Sequence, residues 1–149
     1  MANKDILDRA ASFAFRQLDA HNQVIESLSP QLQTFLRVYS AQGILDNGGL
    51  QYLFESDFDK QPPYSKFVEA YQSIGAVDAA QALSQAVALF PFADPHLDAN
   101  RRQQTMDYLW NDGDSFGFGD FDNALCGDES VWSHLREFVE KHRSSFGLT

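Results

Sequence analysis

Hydrophobic positions along this chain recur at three and four residues from near its start. Ile6, Leu7, Ala10, Phe13, Ala14 and Leu18 share one face of a helix, and Val24, Ile25 and Leu28 carry the same phase past His21-Asn22. That helix either runs on or restarts before Ser29-Pro30, a capping residue followed by a proline suited to the first helical position. A second helix carries Leu32, Phe35, Leu36 and Tyr39 towards Gly43 and should stop at Asn47-Gly48-Gly49. Asn-Gly and Gly-Gly both admit positive φ at little steric cost, so a new element is expected to begin at Leu50, with Leu53 and Phe54 on its apolar side. An Asn-Gly pair could also close a β-hairpin, but that requires alternation of period two on both flanks, and the flanks here have helical spacing. No strand precedes the glycines and no Lys-Ser or Lys-Thr follows them, so a phosphate cradle is not indicated.

The remaining segments follow the same logic. Pro62-Pro63 interrupts the pattern, making residues 57–63 a loop, and Tyr64, Phe67, Val68, Tyr71 and Ile74 then form a helix halted by Gly75. A fifth helix runs from about Asp78 to Phe90 with Leu83, Ala86, Val87 and Phe90 on one face, ended by Pro91 and Pro95. Leu97-Asp98 opens a sixth through Met106, Leu109 and Trp110, and Asp128 or Ser130 caps a last helix bearing Val131, Trp132, Leu135, Phe138 and Val139. The pattern therefore predicts one all-α domain, residues 1–149, of about seven helices.

Between the last two helices lies the most unusual segment, residues 111–122, Asn-Asp-Gly-Asp-Ser-Phe-Gly-Phe-Gly-Asp-Phe-Asp. Its Asp-x-Asp start invites a calcium-loop reading, but counting from Asp112 the fifth position is Phe116 and the twelfth is Asn123. A required oxygen ligand and the bidentate glutamate are both missing, so the segment reads as a glycine-softened acidic loop whose phenylalanines turn inward. His21, His96, His134 and His142 are scattered without ligand spacing, and the lone Cys126 reads as a small buried hydrophobe. No carboxylate pair is marked out by an apolar setting that would suit acid–base work. No cofactor or metal is expected.

Charge adds direction to this picture. The chain has a formal net charge of −10, from 21 acidic and 11 basic residues. The deficit is local: Ile44–Ser130 holds fifteen acids against Lys60, Lys66, Arg101 and Arg102, and Asp107–Glu129 holds seven acids with no Lys or Arg. Such a balance argues against nucleic acid or an anionic membrane as a direct partner. No apolar run approaches membrane-spanning length, the N-terminus carries no apolar signal region, and one cysteine cannot close an internal disulfide, so a cytoplasmic location is expected.

Asn47-Gly48-Gly49, followed by an apolar and aromatic run ending at Phe54, resembles the motif of a bacterial family of unknown-function domains that includes DNA-mimic proteins. Ile74-Gly75-Ala76 with the Ala-rich helix to Phe90-Pro91, and the closing stretch from Gly119-Asp120-Phe121-Asp122 through Trp132, Leu135, Phe138, Val139 and Phe146, resemble its later segments in the same order. Two positions depart from it: Tyr52 stands where the family has Gln, and Ser56 where it has Asn. The resemblance implies an all-helical fold and, beyond it, an acidic protein that binds a basic DNA-binding protein such as a transcription regulator. The carboxylates expected to face that partner are Asp112, Asp114, Asp120, Asp122, Asp128 and Glu129, joined by Glu55, Asp57 and Asp59. Asn47, Gly48 and Gly49 are the structural corner. Other readings remain open at this stage: an immunity-type or inhibitor protein neutralising a basic nuclease toxin, or an enzyme or metal protein built on the acidic loop. Oligomeric state is not legible.

Overall fold

The computed structural model describes residues 2–58, 60–111 and 118–148. Among them the chain forms seven α-helices and no strand, in agreement with the periodicity: α1 Ala2–Ala20, α2 Pro30–Glu55, α3 Tyr64–Ser73, α4 Val77–Val87, α5 Ala99–Asn111, α6 Phe118–Leu125 and α7 Glu129–Lys141. The span Pro30–Glu55 is two helical segments that meet at the non-helical Gly49, where the sequence predicts a stop and a restart, and part of the expected acidic loop is α6. The reason for α6 is visible in its sequence: Phe118, Phe121 and Leu125 fall three and four apart, and Phe118 and Leu125 are buried while Gly119 and Asp120 lie away from the core.

Of the two ways past His21, the chain takes the restart. Asn22 and Gln23 adopt left-handed φ of 58° and 64°, which ends α1, and Gln23 N–H bonds back to the Leu18 carbonyl at 2.9 Å. A single 3-10 turn, Ile25–Ser27, leads to Ser29, whose Oγ accepts the Leu32 N–H at 3.4 Å with Pro30 in the first turn of α2. Gly75 closes α3 with φ of 89°: Ala76 N–H reaches the Tyr71 carbonyl and Gly75 N–H the Gln72 carbonyl, both at 3.0 Å, a Schellman ending. The following helix is shorter than expected, ending at Val87, but Phe90 beyond it is still buried.

α2 is the hub and packs against α1, α3, α5, α6 and α7. Its buried stripe of Phe35, Leu36, Val38, Ala41 and Leu45 continues beyond the glycines as Leu50, Leu53 and Phe54. The helical run is interrupted there, as the sequence predicts. It bends at one residue, Gly49, with φ 71° and ψ −164°, a region open essentially to glycine alone, while Gly48 stays at negative φ. The bend sends the Phe54 ring into an aromatic cluster with Tyr64 at 5.3 Å, Phe90 at 4.8 Å and Phe118 at 5.6 Å between centroids. The pairs with Tyr64 and Phe90 are edge-to-face and add about 0.5–1.5 kcal/mol each beyond their burial, while Phe118 is tilted.

The far end of α2 is held by a buried cation. Arg102 of α5 is 1% exposed, and its guanidinium donates Nε–H to the Phe54 carbonyl and Nη1–H to the Pro95 carbonyl, both at 2.8 Å. A fixed positive charge on the last carbonyls of a helix satisfies acceptors that have no partner within the helix and opposes its dipole favourably.

Two glycines of α2 make opposite expectations. At Gly49 a Cβ would require a forbidden φ and would stand 3.0 Å from Asp122 Oδ1 and 3.3 Å from Cys126 Sγ. Gly49→Ala is expected to destabilise by about 1–3 kcal/mol. At Gly43, exposed in the helix with nothing within 4 Å of a new Cβ, alanine should stabilise by about 0.5–1 kcal/mol. Urea denaturation of the two variants checks the pair, and equal shifts in midpoint would show that the bend carries no strain.

Candidate functional site

Polar groups spaced four residues apart on α2, at 42, 46 and 50, organise the acidic region. Gln42 is fully buried. Its Nε2 donates to the Leu125 carbonyl and to Asp46 Oδ1, each at 2.8 Å, and its Oε1 accepts the Tyr71 hydroxyl at 2.9 Å. Burial pushes the Tyr71 phenol well above its ordinary range, and the Asp46 and Asp128 carboxylates add to the rise, so Tyr71 is a permanent hydrogen-bond donor. Asp46 sits one turn further on. Its Oδ1 accepts the Gly127 N–H and its Oδ2 the Trp132 indole N–H, both at 2.8 Å, which ties α2 to the α6–α7 turn and to α7.

At the third position the group is a backbone amide. Where Gly49 leaves helical torsions, the Leu50 N–H is donated to Asp122 Oδ1 at 2.7 Å, so a side chain of α6 caps the second half of α2 across the bend. Partial burial raises the pKa of Asp122, while the bonds from Leu50 and from the Cys126 thiol, whose sulfur lies 3.9 Å away, pull it back down. The same setting pushes the Cys126 thiol up, through burial and then the Asp122 and Asp46 charges. Cys126 is nonetheless exposed and not the buried hydrophobe the sequence suggests, because it lies at the end of α6 where the chain turns towards α7, and its raised pKa makes it a poor nucleophile. Asp128 caps α7, accepting the Ser130 N–H at 3.0 Å and the Ser130 hydroxyl.

These contacts fix the direction of α6. Phe118 lies against Phe54, Asp122 against Leu50 and Leu125 against Gln42, so α6 runs antiparallel to α2. Asp120 is therefore near the end of α2 that carries Glu55 and Asp57, and Asp128 and Glu129 are near the opposite end of the pair. The carboxylates singled out in the sequence thus divide. Asp122 and Asp128 are occupied by backbone amides, whereas Glu55, Asp57, Asp120 and Glu129 are exposed, with Gln61 Nε2 3.5 Å from Asp57. Asp59, Asp112 and Asp114 lie outside the described residues. At the corner, Asn47 is exposed, Gly48 lies so close to the Tyr52 ring that a Cβ would overlap it, and Gly49 makes the bend. Each anchored carboxylate accepts a backbone N–H, joined by the Trp132 indole at Asp46, the Cys126 thiol at Asp122 and the Ser130 hydroxyl at Asp128. Among the described residues no group of three or more His, Cys, Asp or Glu side chains could hold a metal ion, and no helix is long and apolar enough to cross a membrane.

Sequence reasoning passed over Asp46, Gln42 and Arg102. Gln42 left a signal: it falls within the buried stripe of Val38, Ala41 and Leu45, where a polar side chain needs partners. Asp46 follows four residues later, at a spacing that lets Gln and Asp meet on a helix.

Among known proteins, a family model described as DMP19-like protein matches residues 26–142, which takes in α2 through α7. No curated protein and no solved structure matches the chain.

Two substitutions separate the charge of Asp122 from its role as acceptor. Asp122→Ala leaves the Leu50 N–H without its partner and should cost about 1–3 kcal/mol. Asp122→Asn keeps an acceptor and loses the charge. Because the folded pKa of Asp122 is raised, its contribution to stability is fully present below the ordinary value of 3.8 and is lost as pH rises through the folded value. The Asn variant lacks that loss, so its melting midpoint relative to the parent protein should climb as pH is raised from 4 to 7. A difference that stays flat with pH would show that Asp122 titrates normally.

Proposed function

The chain belongs to the DMP19-like protein family, and from that membership together with its charge we infer that it is a non-enzymatic binding protein whose acidic surface occupies the DNA-binding face of a basic partner, such as a transcription regulator. The observation that carries the reading is a run from residue 103 to 135 with seven carboxylates and no Lys or Arg, of which Asp107, Asp120 and Glu129 are exposed. Of the four basic residues in the wider acidic region, Arg102 is buried, so the surface is more negative than the sequence count. Duplex DNA presents about one negative charge per 1.7 Å of axis, and a DNA-binding protein meets it with rows of Lys and Arg. Carboxylates held on packed helices can take those contacts without a large cost in chain ordering. Glu55 and Asp57 at one end of the α2–α6 pair, Asp120 on α6 and Glu129 at the other end supply such a series.

Among the described residues the anchoring carboxylates accept N–H donors in neutral groups, so they add to the negative field that supports the reading. A partner captured at low salt should be displaced both by rising salt and by duplex DNA. A variant with Glu55→Gln, Asp57→Asn, Asp120→Asn and Glu129→Gln should lose about 0.5–1 kcal/mol of binding per substitution while its melting midpoint stays level or rises. Full affinity in that variant, or a partner that duplex DNA does not displace, would overturn the proposal.

A further inference from the structure

Away from α6 and α7, a cavity of about 140 Å³ opens between α1, the 3-10 turn at Ile25, the first half of α2 and the loop before α3. Its walls are apolar, with Phe15, Leu18, Ile25, Leu36, Phe58 and Phe67 among them. Into this lining comes Arg37, whose side chain is 10% exposed. Its guanidinium is poorly served. Among the described residues Nε has no hydrogen-bond partner, Nη1 is 3.4 Å from Gln33 Oε1, and Nη2 is 3.7 Å from the carboxylate of Glu26, itself a half-exposed side chain. A buried guanidinium with an idle donor edge is costly, and proteins rarely retain one without something to fill it.

The local charge is opposite to that of the molecule. Arg37 and Lys60 line the cavity against Glu26 alone, making it a cationic spot on a chain of net charge −10. The mouth is also conformationally fixed: Lys60 and Gln61 hold left-handed φ of 61° and 39°, and Gln61 bonds to the Phe58 N–H at 2.7 Å and to the His96 carbonyl at 3.2 Å. Left-handed backbone at non-glycine residues recurs where loops clamp ligands.

We propose that this cavity binds a small carboxylate with an apolar body, its carboxylate bridging Nε and an Nη of Arg37 and its body packed among Phe15, Leu36, Phe58 and Phe67. A planar guanidinium fork matches a carboxylate in two parallel hydrogen bonds, and it discriminates against a neutral hydroxyl of the same size. The volume suits a single ring: a dry apolar cavity of about 150 Å³ accepts benzene. Glu26 competes with the ligand for the same guanidinium and sets the affinity. The site is independent of the acidic surface, since no residue of α6 or α7 lines it.

Phenylacetate is a suitable probe, with 2-phenylethanol as its neutral match and acetate as the carboxylate without a body. Millimolar phenylacetate should raise the melting midpoint of the full chain saturably, and neither control should do so. Arg37→Met should abolish the shift. Because that variant could fold poorly, Glu26→Gln gives a second arm: removing the competing carboxylate from an exposed position should tighten phenylacetate binding several-fold by calorimetry. No saturable shift with phenylacetate, an equal shift with 2-phenylethanol, or unchanged affinity in Glu26→Gln would each overturn the proposal.

Discussion

A helix bent in its interior must hand its displaced amide to an acceptor elsewhere, and the arrangement of this bundle follows from how α2 does so. The acceptor of the Leu50 N–H is Asp122, 72 residues away, so α6 has to lie along α2 in one direction and one register. Four residues earlier Asp46 fixes the α6–α7 turn and Trp132, and four earlier still Gln42 fixes the end of α6 and Tyr71 of α3. One polar ridge on the hub helix thereby specifies three neighbours, while the apolar stripe beside it supplies most of the driving force. Hydrophobic burial is non-directional and tolerates sliding; hydrogen bonds at these spacings do not.

Much of the fold could be read from the chain because it rests on local rules. Ser29-Pro30, Gly75 and Asp128 end or begin helices through contacts within a few residues, and the structure places each where the sequence did. The corner at Gly49 was legible as a helix stop and restart that needs glycine, and Gly49 has the non-helical torsions there. The acceptor of the Leu50 amide, Asp122, was not legible, because no local pattern encodes it. Residues 118–125 were hidden for a related reason: Gly117, Gly119 and their acidic neighbours favour a loop, and only the packing of Phe118 and Leu125 against α2 and α4 overrides that preference. Of the candidate partner-facing carboxylates, sequence could show abundance but not employment, since Asp122 and Glu129 look alike until their neighbours are known.

Acidity in this chain therefore has two distinct uses. Asp46, Asp122 and Asp128 are acceptors for amides that the backbone geometry leaves without partners, and an uncharged acceptor could serve the same purpose. Among the described residues Glu55, Asp57, Asp120 and Glu129 make no comparable bond. The cations are likewise divided: Arg102 closes the end of α2 and Arg37 stands in a cavity, so neither offsets the exposed carboxylates at the surface.

The bend at Gly49 also sets where the molecule comes apart. Residues 50–55 of α2 are held by Asp122, by the Phe54 cluster and by Arg102, whereas Gln42 and Asp46 tie the preceding segment to Tyr71, Leu125, Gly127 and Trp132. A continuous helix normally opens as one cooperative unit, but here the ladder is interrupted at Gly49. Native-state hydrogen exchange is therefore expected to place a boundary between units at that residue, with the Leu50 amide exchanging in step with α6.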